Sequence, residues 1–196
     1  MVTLRLTQDP PADAFLAADP LALLIGMLLD QQFPMERAFS SPYVLAQRIG
    51  VDPDNGGRLD AGALADADPE EFAAIFATPP ALHRYPGAMA GRVQALSRQI
   101  ADKYLGDAAA LWREASSGRE LLTRLRALPG FGEQKARIFV ALLGKQLGVR
   151  PDGWQEAAGV YAEEGSARSI ADVLGPETLQ RVREFKRAAK AAQRDS

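Results

Sequence analysis

The sequence predicts an all-α fold. Apolar residues recur at helical spacing along almost the whole chain, as in residues 21–29, Val93/Leu96/Ile100 and Leu121/Leu122/Leu125. Strand-like alternation between turn signals is scarce, and the breaks between apolar stretches carry helix starts and stops instead.

Taken in chain order, Asp9-Pro10-Pro11 opens a first helix and Asp19-Pro20 a second. In each, a carboxylate able to cap free amides precedes a proline at the first helical position. Residues 21–29 form the longest apolar run, far short of the roughly 20 residues that cross a bilayer. Phe33-Pro34 ends that helix, and residues 52–57 make a Pro/Asp/Asn/Gly turn. Asp68-Pro69 repeats the acid-proline start, with Glu70 and Glu71 in the first turn where the helix dipole favours them. Further breaks fall at Thr78-Pro79-Pro80, Ser116-Ser117-Gly118, residues 128–132, residues 150–153 and Gly175-Pro176. About nine or ten helices on short connectors result, with no internal repeat, low-complexity tract or long linker.

Composition narrows the chemistry. A length of 196 residues with 47% hydrophobic side chains suits one compact unit. The absence of cysteine excludes disulfides, thiolate zinc sites, cysteine-ligated iron–sulfur clusters and cysteine nucleophiles. A single histidine leaves zinc without its other usual ligand. With no membrane span and no basic leader, a soluble cytoplasmic protein is expected.

The net charge of −2 hides an uneven distribution. Residues 1–80 carry 4 basic and 12 acidic side chains, residues 81–150 carry 12 and 5, and residues 151–196 carry 7 and 8. The middle segment can therefore form a basic face on a neutral body, or simply neutralise the acidic one. Residues 181–194, with six cations against Glu184, read as a solvated terminal helix.

Residues 121–143 read as two amphipathic helices joined by Leu128-Pro129-Gly130-Phe131-Gly132. Gly130 and Gly132 can adopt conformations closed to other residues and allow close backbone approach. The amides opening the second helix would then be free to accept a phosphate. On spacing alone an ordinary αα-hairpin turned by glycines is the simpler reading.

The same residues resemble the helix-hairpin-helix motif of the DNA glycosylase superfamily that includes endonuclease III and the 3-methyladenine glycosylases. Its pattern of Leu-Pro-Gly, an apolar residue, Gly, three residues and Ala is matched by residues 128–136, and Asp152 stands at the spacing of the family's catalytic aspartate. Residues 23–33 are similar to the family's early apolar helix, which ends in a glutamine that enters the duplex where the target base was; Gln32 takes that position and Pro34 begins the wedge loop. Residues 84–96 match the helix before the hairpin more weakly.

The resemblance implies two helical lobes with a cleft between them. A central lobe would span residues 20–150 with its hairpin at 121–147, and residues 1–19 and 151–196 would pack as the second. It implies double-stranded DNA with a damaged or mismatched base as partner, bound by a monomer. Cleaving an N-glycosidic bond builds positive charge on the sugar, so Asp152 would stabilise that charge and activate water. The flipped nucleotide leaves a gap for Gln32 to fill, and the amides around Gly130 and Gly132 would hold a phosphate without reading sequence. Gln134 and Lys135 would lie against DNA, and Gln31, Phe33 and Trp154 would line the base pocket. The carbonyls of Arg126, Leu128 and Phe131 match positions that hold a monovalent cation.

The chain also departs from the pattern. The Schiff-base lysine of bifunctional members is replaced by Gln134, and an amide forms no imine. Lys135 is one residue on, about 100° around the helix, and is expected to point away. A monofunctional, water-using enzyme without an iron–sulfur cluster is the expectation. Asp152 lies between Pro151 and Gly153, and residues 152–155 have the form of a capping box. His83 reads as a boundary or surface residue, Asp30 as solvent-facing, and Tyr43 as a core aromatic able in principle to stack on a base. A catalytically inactive DNA-binding protein of the same fold is the alternative, and a helical protein-interaction domain the third.

Overall fold

The computed structural model describes residues 3–194. Among these the chain is all-helical: α1 (Pro10–Ala18), α2 (Pro20–Leu29), α3 (Met35–Arg48), α4 (Ala61–Asp66), α5 (Pro69–Ala77), α6 (Pro86–Tyr104), α7 (Ala110–Arg113), α8 (Gly118–Arg126), α9 (Glu133–Gln146), α10 (Trp154–Ala158) and α11 (Pro176–Arg194), with short 3-10 turns between some of them. Among the described residues no single helix is long and apolar enough to cross a membrane.

The acid-proline starts act as expected. Asp19 accepts from the Leu21 and Ala22 amides at 2.9 and 3.1 Å, and Asp68 from those of Glu70 and Glu71 at 3.0 Å. Asp19 does more than cap: its second oxygen accepts from Leu59 N–H at 2.8 Å, tying the start of α2 to a distant turn. The first helix differs, since Asp9 makes no side-chain cap and Asp13 instead accepts from Thr7 N–H.

Every residue from Leu21 to Leu29 is buried, so α2 has no solvent face and runs through the core. Helix α3 packs beside it, α6 is flanked by α4 and α5, and α9 is surrounded by α8, α10 and the 3-10 turns at Gly159–Ala162 and Ile170–Asp172. One continuous apolar cluster, with Leu28, Leu128, Phe131 and Phe139 among its members, spans these groups. Helix α1 packs chiefly on α2 and α3, whereas the division drawn from the sequence groups residues 1–19 with 151–196. The C-terminal segment is held to α9 by a buried ion pair, Lys145 Nζ to Asp172 Oδ1 at 2.6 Å. The same carboxylate accepts from Ser166 Oγ and from the Arg168 and Ser169 amides.

Candidate functional site

Helix α8, the turn after it and α9 form the expected hairpin. Ser117 Oγ caps α8 by accepting from Glu120 N–H. The turn closes with Leu128 N–H donating to Leu125 O at 3.0 Å and Phe131 N–H to Leu128 O at 3.1 Å. Gly130 sits at φ 78°, and a Cβ there would come within 2.3 Å of Leu28 Cδ1. Its lack of a side chain thus allows both the left-handed turn and the seating of the hairpin on the end of α2.

Gly132 corrects the reading of two conformationally special glycines. Its φ of −74° and ψ of 178° are ordinary extended values, and a Cβ there would meet nothing within 4 Å. It is the N-cap of α9 and supplies no side-chain cap; the first helical bond is Ala136 N–H to Gly132 O at 3.0 Å. Among the described residues the amides of Glu133, Gln134 and Lys135 therefore have no acceptor, and the positive end of the helix dipole stands open. Glu133 beside it is neutralised by Arg126 and Arg137 at 2.8 and 2.7 Å.

Three side chains leave the start of α9 in three directions. Gln134 Nε2 donates to Tyr161 Oη at 3.0 Å. Arg137 donates to Ala157 O at 2.9 Å and lines a cavity of about 500 Å³ with Asp152, Ser117, Arg119 and Glu156. Lys135 points away from the direction of Gln134 and reaches the end of α2, donating to Leu28 O at 2.8 Å and Gln31 Oε1 at 3.3 Å. The reason is the seat at Gly130, which brings the first turn of α9 against α2, while the 100° step turns residue 135 toward that contact.

Around Lys135 lies a cluster that the sequence reading undervalued. The Asp30 side chain, expected in solvent, is only 8% exposed and lies 3.7 Å from Lys186 Nζ of α11. Burial raises its carboxyl pKa, and the charges of Lys186 and Lys135 act against that rise. Burial in turn lowers Lys135 to about 8, with Arg92 and Lys186 adding repulsion and Asp30 opposing.

His83 is also a correction, being 1% exposed rather than at the surface. Its Nε2 lies 3.0 Å from Gln31 O and its Nδ1 accepts from Tyr85 N–H at 3.0 Å. A carbonyl only accepts, so this pair of bonds selects the neutral tautomer with hydrogen on Nε2. Burial, which lowers the ring's pKa, favours the same form.

Gln32 stands at the tip of the loop so held, exposed and in the left-handed region at φ 50°. Such a conformation costs a non-glycine residue about 1 kcal/mol. Phe33 is half-buried against the His83 ring at 4.7 Å, with the Arg37 guanidinium 4.9 Å over its centroid. On its outer side a cavity of about 300 Å³ is rimmed by Arg183, Lys186 and Arg187 of α11, so the basic terminal helix borders this loop. Arg183 is tied to Glu36 of α3.

Asp152 lies on the other flank of α9 and is exposed. The capping box expected at residues 152–155 does not form: the N-cap of α10 is Gly153 at φ 73°, without a side-chain cap. The loop is fixed through backbone, Gly118 N–H donating to Asp152 O at 2.8 Å. Trp154 is half-buried. Its ring covers Gly144, where a Cβ would lie 2.4 Å from ring carbons, and Arg150 lies 5.8 Å from its centroid. Tyr43 lies with Phe15 and Asp54. The turn carbonyls of Arg126, Leu128 and Phe131 are hard oxygen donors of the kind a monovalent cation takes, although Leu128 O already accepts from Phe131 N–H.

From α9, Lys135 thus reaches the neighbour of Gln32 and Arg137 the cavity lined by Asp152, with no hydrogen bond among the described residues linking Gln32 to Asp152. Lys186 and Tyr161 were missed by sequence reasoning; the six-cation stretch at 181–194 was the signal for the first, and nothing local marks the second. No protein-family model matches the chain, and no curated protein matches it.

Proposed function

We propose that the protein is a DNA glycosylase of the helix-hairpin-helix type, acting as a monomer on duplex DNA that carries a damaged or mismatched base. The observation that carries this reading is the uncapped start of α9 seated directly beside the strained, exposed Gln32 loop. A phosphate on the free amides would fix the strand there without reading sequence. Gln32 would enter the duplex as the target nucleotide leaves it. Asp152, on the other flank of the same turn, would stabilise the positive charge developing on the sugar and receive a proton from the attacking water. The carbonyls of Arg126, Leu128 and Phe131 would hold a monovalent cation, adding positive charge beside that phosphate. The two lobes and their cleft belong to this proposal.

Gln134 carries no amine and Lys135 is engaged with α2, so hydrolysis without strand cleavage is the reading preferred. The test is a panel of lesion-bearing duplexes, each treated with alkali to cut abasic sites. Base release that is lost in Asp152→Asn supports the assignment, and undiminished release in that variant removes it. Borohydride trapping of a covalent complex would replace water by an amine. A second reading, a DNA-binding protein without chemistry, is favoured by one observation: among the described residues no hydrogen bond fixes the Asp152 carboxylate. It requires salt-sensitive duplex binding with no base release on any substrate.

A further inference from the structure

The loop bearing Gln32 is held by two side chains that no part of the proposed chemistry uses. Helix α2 ends at Leu29, leaving its last carbonyls to find donors. Asp30 N–H takes those of Gly26 and Met27, and Lys135 Nζ takes that of Leu28. Lys135 also holds the Gln31 side chain, while His83 Nε2 holds the Gln31 carbonyl. Gln31 is thus gripped at its amide oxygen from α9 and at its backbone oxygen from the entry to α6. The next residue is Gln32 at φ 50°, a conformation that a free loop would abandon.

We propose that Lys135 and His83 are positioning residues that preorganise Gln32 for insertion, and that Lys135 couples this to phosphate binding at the start of α9. Lys135 contributes one of the free amides of α9 through its backbone and the grip on Gln31 through its side chain. Strand capture and gap filling are therefore linked through one residue, and the ammonium serves as a strut between the two. The proposal rests on the reading of Gln32 as the residue that enters the duplex, and its test separates the two claims.

The first measurement needs no DNA. Amide hydrogen exchange of Gln31, whose N–H donates to Leu29 O, should quicken at least tenfold in Lys135→Met and in His83→Leu of the intact protein, and return to within about threefold of wild type in Lys135→Arg, which restores a charged donor. Unchanged exchange in both Lys135→Met and His83→Leu overturns the proposal whatever Gln32 does.

The second uses a duplex with 2-aminopurine beside an abasic-site analogue, followed by fluorescence for unstacking and by anisotropy for affinity. Gln32→Ala should remove the fluorescence rise; a full rise in that variant overturns the reading of Gln32 alone. Given a Gln32-dependent rise, Lys135→Met should cut it at least fivefold and by a larger factor than it lowers affinity, and Lys135→Arg should recover it. A full rise in Lys135→Met overturns the coupling. A merely structural role would lower affinity and unstacking together and would show no recovery with arginine.

Discussion

Titration of Lys135 offers a direct check on the burial of its ammonium. The ammonium lies against the end of α2, and burial together with Arg92 and Lys186 brings its pKa from an ordinary 10.5 to about 8, with Asp30 opposing the shift. At 1.36 kcal/mol per pH unit that difference corresponds to about 3 kcal/mol, or roughly 2 once the solvent-facing part of the side chain is allowed for. The sign follows from linkage. Below pH 8 both folded and unfolded chains hold the proton. Between pH 8 and 10.5 the unfolded chain keeps a proton that the fold has released, so stability rises with pH across that window. The missing stabilisation is regained in full above 10.5 and lost again as pH falls through 8.

Lys135→Met keeps most of the stem and removes the titration. At pH 7 the variant loses its bonds to Leu28 O and Gln31 but also loses a desolvated charge, so its stability should lie within about 1 kcal/mol of wild type. By pH 10.5 wild type should have gained roughly 2 kcal/mol relative to it. Urea denaturation of both proteins at pH 7, 8, 9 and 10.5, read as midpoints at constant slope, measures the difference directly. Other lysines and tyrosines titrate in both chains and cancel. A difference that stays constant within about 0.5 kcal/mol from pH 7 to 10.5 refutes the burial argument.

Four further outcomes rest on the geometry. Gly130→Ala should destabilise by about 2–4 kcal/mol, because its Cβ meets Leu28 at 2.3 Å in a left-handed conformation. Gly132→Ala, in open space, should leave the thermal midpoint nearly unchanged while weakening duplex binding, and equal loss of stability in the two variants would contradict this. Gln32→Gly should relieve the strain at φ 50° and hold or raise stability by about 0.5 kcal/mol, as read from denaturant midpoints, while abolishing gap filling. Asp172→Ala should cost about 3–5 kcal/mol by leaving Lys145 and two backbone amides without their acceptor; a loss below 1 kcal/mol in urea would mean the pair carries no load.

The helices were legible because their signals are local. Asp19 and Asp68 before proline, and Ser117 before α8, act through amides two or three residues away. The hairpin was legible for the same reason, and Gly130 for its turn. The partner of Gly130 was not, since Leu28 lies a hundred residues earlier and only packing brings it near. The burial of Asp30 and of His83 likewise depends on residues far away in sequence, Lys186 for the one and Gln31 for the other, so neither was legible locally. Asp152 was placed by spacing, but its cap was misjudged because Gly153 takes the left-handed position that starts α10. Trp154 reads as any aromatic does until Gly144, on another helix, turns out to lie beneath its ring.

The last helix has a bearing on how the molecule comes to be made. Lys186 and Arg183 of α11 reach back to Asp30 and Glu36, the latter contact spanning 147 positions along the chain. Synthesis runs at roughly 5–20 residues per second, so during translation α2 and its loop leave the ribosome many seconds before their countercharges do. In that interval Asp30 lacks Lys186, and until α9 emerges the carbonyl of Leu28 lacks Lys135 as well. The core helices can assemble as they appear, but the charge balance around the Gln32 loop is completed only by the end of the chain. The countercharge that α11 gives Asp30 is therefore added to a loop that α9 has already engaged.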